Sequence, residues 1–283
     1  MRVLITGAAG YVAGHVIEDL THDHDLVLLS RQPSTARRAE ESGAAFVLGD
    51  VTDVEDCLRA LDGVDAVVHL AAIPLSGSET FTTNTRATYA LLEAGVQSGV
   101  DKVVMASSNC ALGHCFRPPE RPFRIEYLPF DEDHPTHAED SYGLSKLVSE
   151  YVLQTYAEEH GIQAISLRPA WCWGSAERDK RRSEPFDPAG GRRGFWAYID
   201  MRDVTHAVRL ALEAPHRDEP WWGAYFISAA DTTADRSSCD LLAEFHPQYA
   251  ALGAALEGRQ SFFSWDAARR NLGFAPRHSW RDN

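Results

Sequence analysis

The stretch RVLITGAAGYVAGHVIEDL, residues 2–20, decides the fold. RVLIT is a short apolar run, and GYVAGHVIEDL carries apolar residues at helical spacing. A glycine-rich turn joins the two. A strand that passes through such a turn straight into a helix is the opening of a βαβ unit. The pattern repeats outward along the chain. DLVLLS (25–30), AFVLGD (45–50), DAVVHLAA (65–72), KVVMASS (102–108) and QAISLRPA (163–170) read as further strands. VTDVEDCLRAL (51–61), a long stretch from about 79 to 97 and the segment beginning SYGLSK (141–146) read as helices. The strands lack polar alternation, so both faces are buried and the sheet is parallel. The expected fold class is α/β, a Rossmann-type doubly wound parallel sheet.

After Pro169 the alternation breaks. SAERDKRRSEPFDPAGGRRGF (175–195) is charged and rich in Gly and Pro, and is expected to be a loop or lid. A helix over 200–214, a strand over 223–229 and two short helices follow. The expected division is a dinucleotide-binding domain over 1–170 and a small substrate lobe over 171–283, interleaved with it.

The chain has 283 residues and a formal charge of −14, from 27 basic and 41 acidic side chains. That excess argues against nucleic-acid or anionic-membrane partners. No secretory signal or membrane-length apolar run is visible, so a cytoplasmic enzyme acting on a small molecule is expected. The five cysteines form no CxxC, and neither a disulfide nor a metal site is expected.

Gly7 and Gly10 sit where a tight turn must bring backbone close to a diphosphate, and the N–H groups opening the helix favour its charge. Ala13 is the small third residue of that pattern. The second strand ends in Ser30 and Arg31 where an acidic residue would select NAD. With Arg37 and Arg38 nearby, this favours NADP over NAD. Asp50 and Val51 end the third strand, beside the expected adenine.

Tyr142 and Lys146 lie four apart on a helix and share a face. The ammonium is expected to lower the phenol's pKa and make it a tunable acid/base for an alcohol/carbonyl pair. Ser108, at the carboxyl end of the fifth strand, can hydrogen-bond the reacting oxygen, and Asn109 can read a substrate hydroxyl. Arg178, in the basic loop, is a candidate for an anionic substrate group. Trp171, Trp173 and Trp196 are expected to be packed.

Together, TGAAGYVAG, GDVTD, VVHLAA, NTRATYALLEAG, KVVMASSNCALG, YGLSK, SLRPAWCWG and YIDMRDVTHAVRLALE resemble the extended short-chain dehydrogenases/reductases, the NAD(P)-dependent epimerase/dehydratase group. Within it the pattern looks nearest to uronate dehydrogenase-like sugar oxidoreductases. Cys110 and Trp171 stand where those enzymes have histidine and serine, and Ser30 replaces their acidic residue. The resemblance implies Ser108, Tyr142 and Lys146 as a catalytic triad. It implies cofactor contacts at Ala9, Tyr11, Val12, Leu70, Ala71, Ala72, Asn84, Ser107, Lys146 and Pro169, besides Gly7, Gly10, Ser30, Arg31, Asp50 and Val51. It also implies a homodimer built on the long helix and the Tyr142 helix. The leading expectation is a sugar oxidoreductase. An epimerase that retains its cofactor and a non-catalytic NAD(P) sensor are the alternatives.

Overall fold

The computed structural model describes residues 1–117, 121–217 and 219–282. The quoted opening forms β1 (Arg2–Thr6) and α1 (Tyr11–Leu20). Next come β2 (Asp25–Ser30), α2 (Thr35–Ser42), β3 (Ala45–Leu48), α3 (Val54–Ala60) and β4 (Ala66–His69). The long helix α4 (Thr80–Ser98) leads to β5 (Lys102–Ala106), and α5 (Ser141–His160) to β6 (Gln163–Pro169). The helix α2 was not anticipated. Its sequence TARRAEES is almost wholly polar, so it carries little apolar periodicity.

The sheet is entirely parallel, in the order β3-β2-β1-β4-β5-β6-β9, with β9 spanning Trp222–Ile227. Val3, Leu4 and Ile5 are fully buried, as are Val67 and Val68. This is what apolar runs without alternation require when helices cover both faces. One face packs on α1 and on α8 (Met201–Glu213), through Val16, Ile17, Leu20, Val208 and Leu212. The other packs on α3, α4 and α5, through Cys57, Leu91, Leu92, Leu153 and Tyr156.

The seventh strand, β9 (Trp222–Ile227), comes from the expected lobe but pairs with β6 in the main sheet. The segment 175–195 is corrected: it folds as α6 (Ser175–Ser183) and α7 (Pro188–Gly191), followed by a 3-10 turn over Arg192–Gly194. Glu177 accepts from the Gly174 N–H at 2.8 Å, which starts α6. Beside them β7 (Trp171–Trp173) pairs with β8 (Tyr198–Asp200). The chain ends in α9 (Ser238–Phe245), a long 3-10 stretch and α10 (Asp266–Leu272). Among the described residues, no helix is long and apolar enough to cross a membrane.

The cysteine expectation fails at one pair. Cys110 and Cys115 form a disulfide in the loop after β5. Five residues of separation cannot announce a bridge. The 3-10 turn Asn109–Leu112 and the turn at Gly113 fold the chain back and bring the two sulfurs together.

Candidate active site

The switch in strand order lies between β1 and β4, and ligands of such sheets bind outside the carboxyl ends of the strands there. Two adjoining cavities open at that edge, with Ala72 in the wall of both. The smaller, about 210 Å³, is walled by Gly7, Ala9, Gly10, Ser30, Arg31, Asp50, Val51, Ala71 and Asn84. The larger, about 710 Å³, takes Val12, Leu70, Ser107, Ser108, Asn109, Tyr142, Lys146 and Pro169. Of the expected site residues only Tyr11 and Arg178 line neither.

The smaller cavity fits the adenosine and diphosphate part of a dinucleotide. Gly7 has φ +66°, and a Cβ there would stand 2.7 Å from the Ala71 backbone. The neighbouring strand thus demands glycine as firmly as a diphosphate does. No side chain caps the start of α1, which leaves its N–H groups for an anion. Arg38, expected near the ribose, instead turns its guanidinium to the carbonyls of Ala8 and Gly10. It braces the back of the turn. Arg37 pairs with Glu41 at 2.8 Å. Of these arginines, Arg31 alone faces the cavity, 3.5 Å from Asp50 across it. Ser30 Oγ accepts from Gln32 N at 3.1 Å and Thr35 Oγ1 at 3.0 Å, leaving its own proton to donate. Asn84 accepts from Ile73 N at 2.8 Å and donates to Ser145 Oγ at 2.9 Å, tying the loop after β4 to α5. Tyr11 is 55% exposed and lies edge-on to His15, with its hydroxyl against Gly174.

In the larger cavity the elements meet by close backbone approach. Asp140 caps α5, accepting from Tyr142 N at 2.9 Å and Gly143 N at 2.8 Å. Gly143 abuts the 3-10 turn after Ser108: a Cβ on it would stand 2.5 Å from the Cys110 carbonyl. The start of α5 and the Ser108 turn are in contact as a result. Ser108 Oγ accepts from Cys110 N at 3.1 Å, so its proton is left for the Tyr142 oxygen. Phe116 packs edge-on to the Tyr142 ring at 5.8 Å. Ser107 Oγ is buried without a partner.

The electrostatics depart from expectation. Burial pushes the Tyr142 phenol up to about 12, and the Ser108 hydrogen bond only partly opposes this. Lys146 does not counter it. Its ammonium donates to the Ala106 carbonyl at 2.6 Å and stands 5.9 Å from the Tyr142 ring centre. Burial pushes Lys146 down to about 8, against the attraction of Glu150 one turn on. A dry site penalises both charged forms, so desolvation outweighs the pairing.

Arg178 is corrected. It pairs with the buried Asp200 at 2.7 Å and does not reach the cavity. Its neighbours are likewise engaged. Arg181 donates to Thr233 O and Arg182 to Trp280 O, tying α6 to the chain's end. Trp171, expected to be packed, is 64% exposed at the cavity mouth, while Trp173 and Trp196 are buried. Sequence reasoning missed Gly143, Asp140, Phe116 and Asp187. The glycine inside YGLSK, one step past a helix-capping aspartate and a tyrosine, was the legible signal for the first two.

The sequence model of the NAD dependent epimerase/dehydratase family matches residues 3–221. The chain is 31% identical over 238 residues to an L-arabinose 1-dehydrogenase (NAD(P)(+)) of Haloferax volcanii, covering 81% of this chain and 89% of that one. It is 32% identical over 276 residues to a UDP-glucose 4-epimerase of Corynebacterium glutamicum, covering 93% and 74%. Among solved structures, a short-chain dehydrogenase/reductase superfamily protein from Agrobacterium tumefaciens with bound NAD superimposes with a TM-score of 0.72 at 24% identity, over 99% and 94% of the two chains.

Proposed function

We infer the reaction from one premise: this chain belongs to the NAD dependent epimerase/dehydratase family and is an NAD(P)-dependent enzyme. Its proposed reaction is the interconversion of an alcohol and a carbonyl on a neutral sugar, with NADP preferred over NAD. The observation that carries this reading is the make-up of the larger cavity. Ser108, Tyr142 and Lys146 converge in it, and among the described residues no arginine lines it and Asp187 is its one carboxylate. A uronate or a nucleotide diphosphate needs a cation to meet it. Here the only ammonium is Lys146, which belongs to the acid/base pair. Asn109, Asp187 and Thr233 offer hydrogen bonds to sugar hydroxyls, and the exposed Trp171 offers a flat apolar face at the mouth.

When bound, the nicotinamide supplies the hydride acceptor or donor and, oxidised, a positive charge. The chain's own groups handle the proton. Tyr142 takes it from the alcohol or returns it to the carbonyl oxygen. Ser108 donates to the same oxygens and is the group that favours the phenolate against burial, while Lys146, held on the Ala106 carbonyl, keeps a positive charge on the same helix face. The residues of the smaller cavity hold the adenosine and diphosphate part of the dinucleotide, whose nicotinamide would lie in the larger one beside Tyr142 and Pro169. Arg31, swung from Asp50, and Ser30 meet a 2′-phosphate. That switch in partner is the basis of the NADP preference.

Residues 171–283 are proposed to supply the substrate wall through Trp171, Asp187 and Thr233. A homodimer through α4 and α5 is proposed from the exposed Phe81, Tyr89, Leu144 and Tyr151 on those helices. The proposed location is the cytoplasm.

The test is a panel of neutral aldoses, uronates and UDP-sugars with NADP or NAD, followed at the reduced nicotinamide band. Net absorbance change with neutral aldoses supports the reading. Isomer exchange without it makes the protein an epimerase, and faster turnover of uronates overturns the neutral substrate. No turnover, with activity in the cell surviving Tyr142→Phe, would make it a sensor.

A further inference from the structure

We propose that Trp196 is a positioning residue that locks α7 as the outer wall of the larger cavity and so fixes the substrate contacts α7 carries. This deepens the proposed function and rests on its reading of Asp187 as the partner of a sugar hydroxyl. The starting observation is backbone strain. Phe195 and Trp196, with φ of +51° and +52°, are the non-glycine residues of positive φ among the described residues. Bulky side chains avoid that region, and two in succession persist only where the surroundings over-determine them. Both are 1% exposed.

With the chain turned this way, Trp196 faces back onto α7. Its Nε1 donates to the Pro188 carbonyl at 2.7 Å, where α7 begins. Its backbone N–H donates to the Gly191 carbonyl at 3.1 Å, where α7 ends. Gly191 is required by the contact: a Cβ there would stand 2.3 Å from Trp196 Cδ1 and 2.8 Å from Nε1. The indole has little room to yield. Phe245 and Phe262 pack on it, with ring centres at 5.5 and 5.6 Å, and the Trp196 carbonyl accepts from Thr233 N at 2.9 Å. Just ahead of α7, the Arg181 guanidinium lies over the Phe186 ring at 4.5 Å.

These anchors bear on the catalytic cavity, because Phe186, Asp187, Gly190, Gly191 and Trp196 all line it. A helix of four residues has too few internal hydrogen bonds to hold its own place. Asp187 caps it, with Oδ1 accepting from Ala189 N at 2.9 Å. Oδ2 is the oxygen left for a hydroxyl. Once the indole releases Pro188, α7 shifts and that carboxylate shifts with it. Ser108, Tyr142 and Lys146 stand on β5 and α5 and are not moved. The substrate is then held less tightly but reacts as before once bound.

The test uses Trp196→Phe, which keeps a ring in the packing and removes the N–H donor. With saturating NADP and the aldose turned over fastest, KM should rise at least ~5-fold, with kcat and NADPH affinity within about twofold. Asp187→Asn alone should raise KM to a similar degree. The double variant should go no more than about twofold beyond the larger single effect, because both act through one contact. A structural role alone would lower the unfolding midpoint and the active fraction and leave KM in place. Unchanged KM in Trp196→Phe overturns the proposal, and effects that multiply in the double variant overturn the route through Asp187. A second measurement needs no substrate. Amide exchange over residues 187–194 should quicken at least ~5-fold in Trp196→Phe, and unchanged exchange overturns the lock. Faster exchange, with Asp187→Asn leaving KM unchanged, supports the lock and refutes the hydroxyl contact of the proposed function. If Trp196→Phe does not fold, Gly191→Ala, which drives a Cβ into the indole, replaces it in both measurements with the same expected outcomes.

Discussion

Gly143→Ala isolates the contact that sets Tyr142 against Ser108 in the proposed catalytic site. Local propensity favours the substitution, since alanine in place of glycine inside a helix gains about 1 kcal/mol. Tertiary packing opposes it. The new Cβ would stand 2.5 Å from the Cys110 carbonyl oxygen, about 0.9 Å inside the ordinary contact distance of 3.4 Å. That carbonyl cannot yield freely, because Cys110 sits in the turn closed by the Cys110–Cys115 disulfide. The start of α5 must lift, and Tyr142, one residue away, lifts with it from Ser108. A displacement near 1 Å costs on the order of 100-fold in rate. That corresponds to about 2.7 kcal/mol in the barrier. We therefore expect kcat to fall about 100-fold while the dissociation constant for NADPH changes less than about threefold, the smaller cavity being untouched. Steady-state kinetics with a fluorescence titration of NADPH separates the two. The midpoint of thermal unfolding should move by only a few degrees, as clash and propensity oppose each other. Activity within threefold of the wild type, with α5 unmoved in a crystal structure, would refute the reasoning.

Tyr142→Phe should lower kcat at least ~100-fold with cofactor affinity within a few-fold, since acid/base groups contribute about 10²–10⁴; equal loss of both in the same two assays contradicts the role. Arg31→Ala should weaken NADPH at least ~10-fold and NADH less than about twofold, measured by fluorescence titration. Equal losses would remove the charge argument for NADP. Lys146 titrates at about 8 when folded, against an ordinary value of 10.5, because burial disfavours its charge. Between those values the unfolded chain binds a proton that the folded one has shed, so this group makes stability rise with pH across that window. Denaturant unfolding of wild type and Lys146→Met at pH 7.5 and 10 should therefore show the wild type gaining relative to the variant, by on the order of 3 kcal/mol at most. A constant difference would mean that the ammonium is not desolvated.

The sheet and the residues along its edge were legible because their signals are local. Burial on both faces writes each strand as an unbroken apolar run, as in Val3–Ile5. The demand for backbone approach writes glycine at position 7. Four-residue spacing on a helix puts Tyr142 and Lys146 on one face. The helix α2 was missed because its eight residues are nearly all polar, and α6 because its arginines read as a solvated loop. On α6 those arginines point inward, to Asp200, Thr233 and Trp280, which lie 20 to 100 positions further along the chain.

What residue types and their spacing determined by themselves was the parallel sheet, the glycine turn proposed for a diphosphate and the residues proposed as the acid/base set. Each is a property of one element and its own periodicity. Only the tertiary structure decided which charges those groups bear and which arginines serve the scaffold. It drew Lys146 onto the Ala106 carbonyl and dried the Tyr142 pocket. It bound Arg38 and Arg178 into place and closed Cys110 on Cys115. Desolvation and pairing depend on what distant segments bring to a point in space, and no local pattern encodes that.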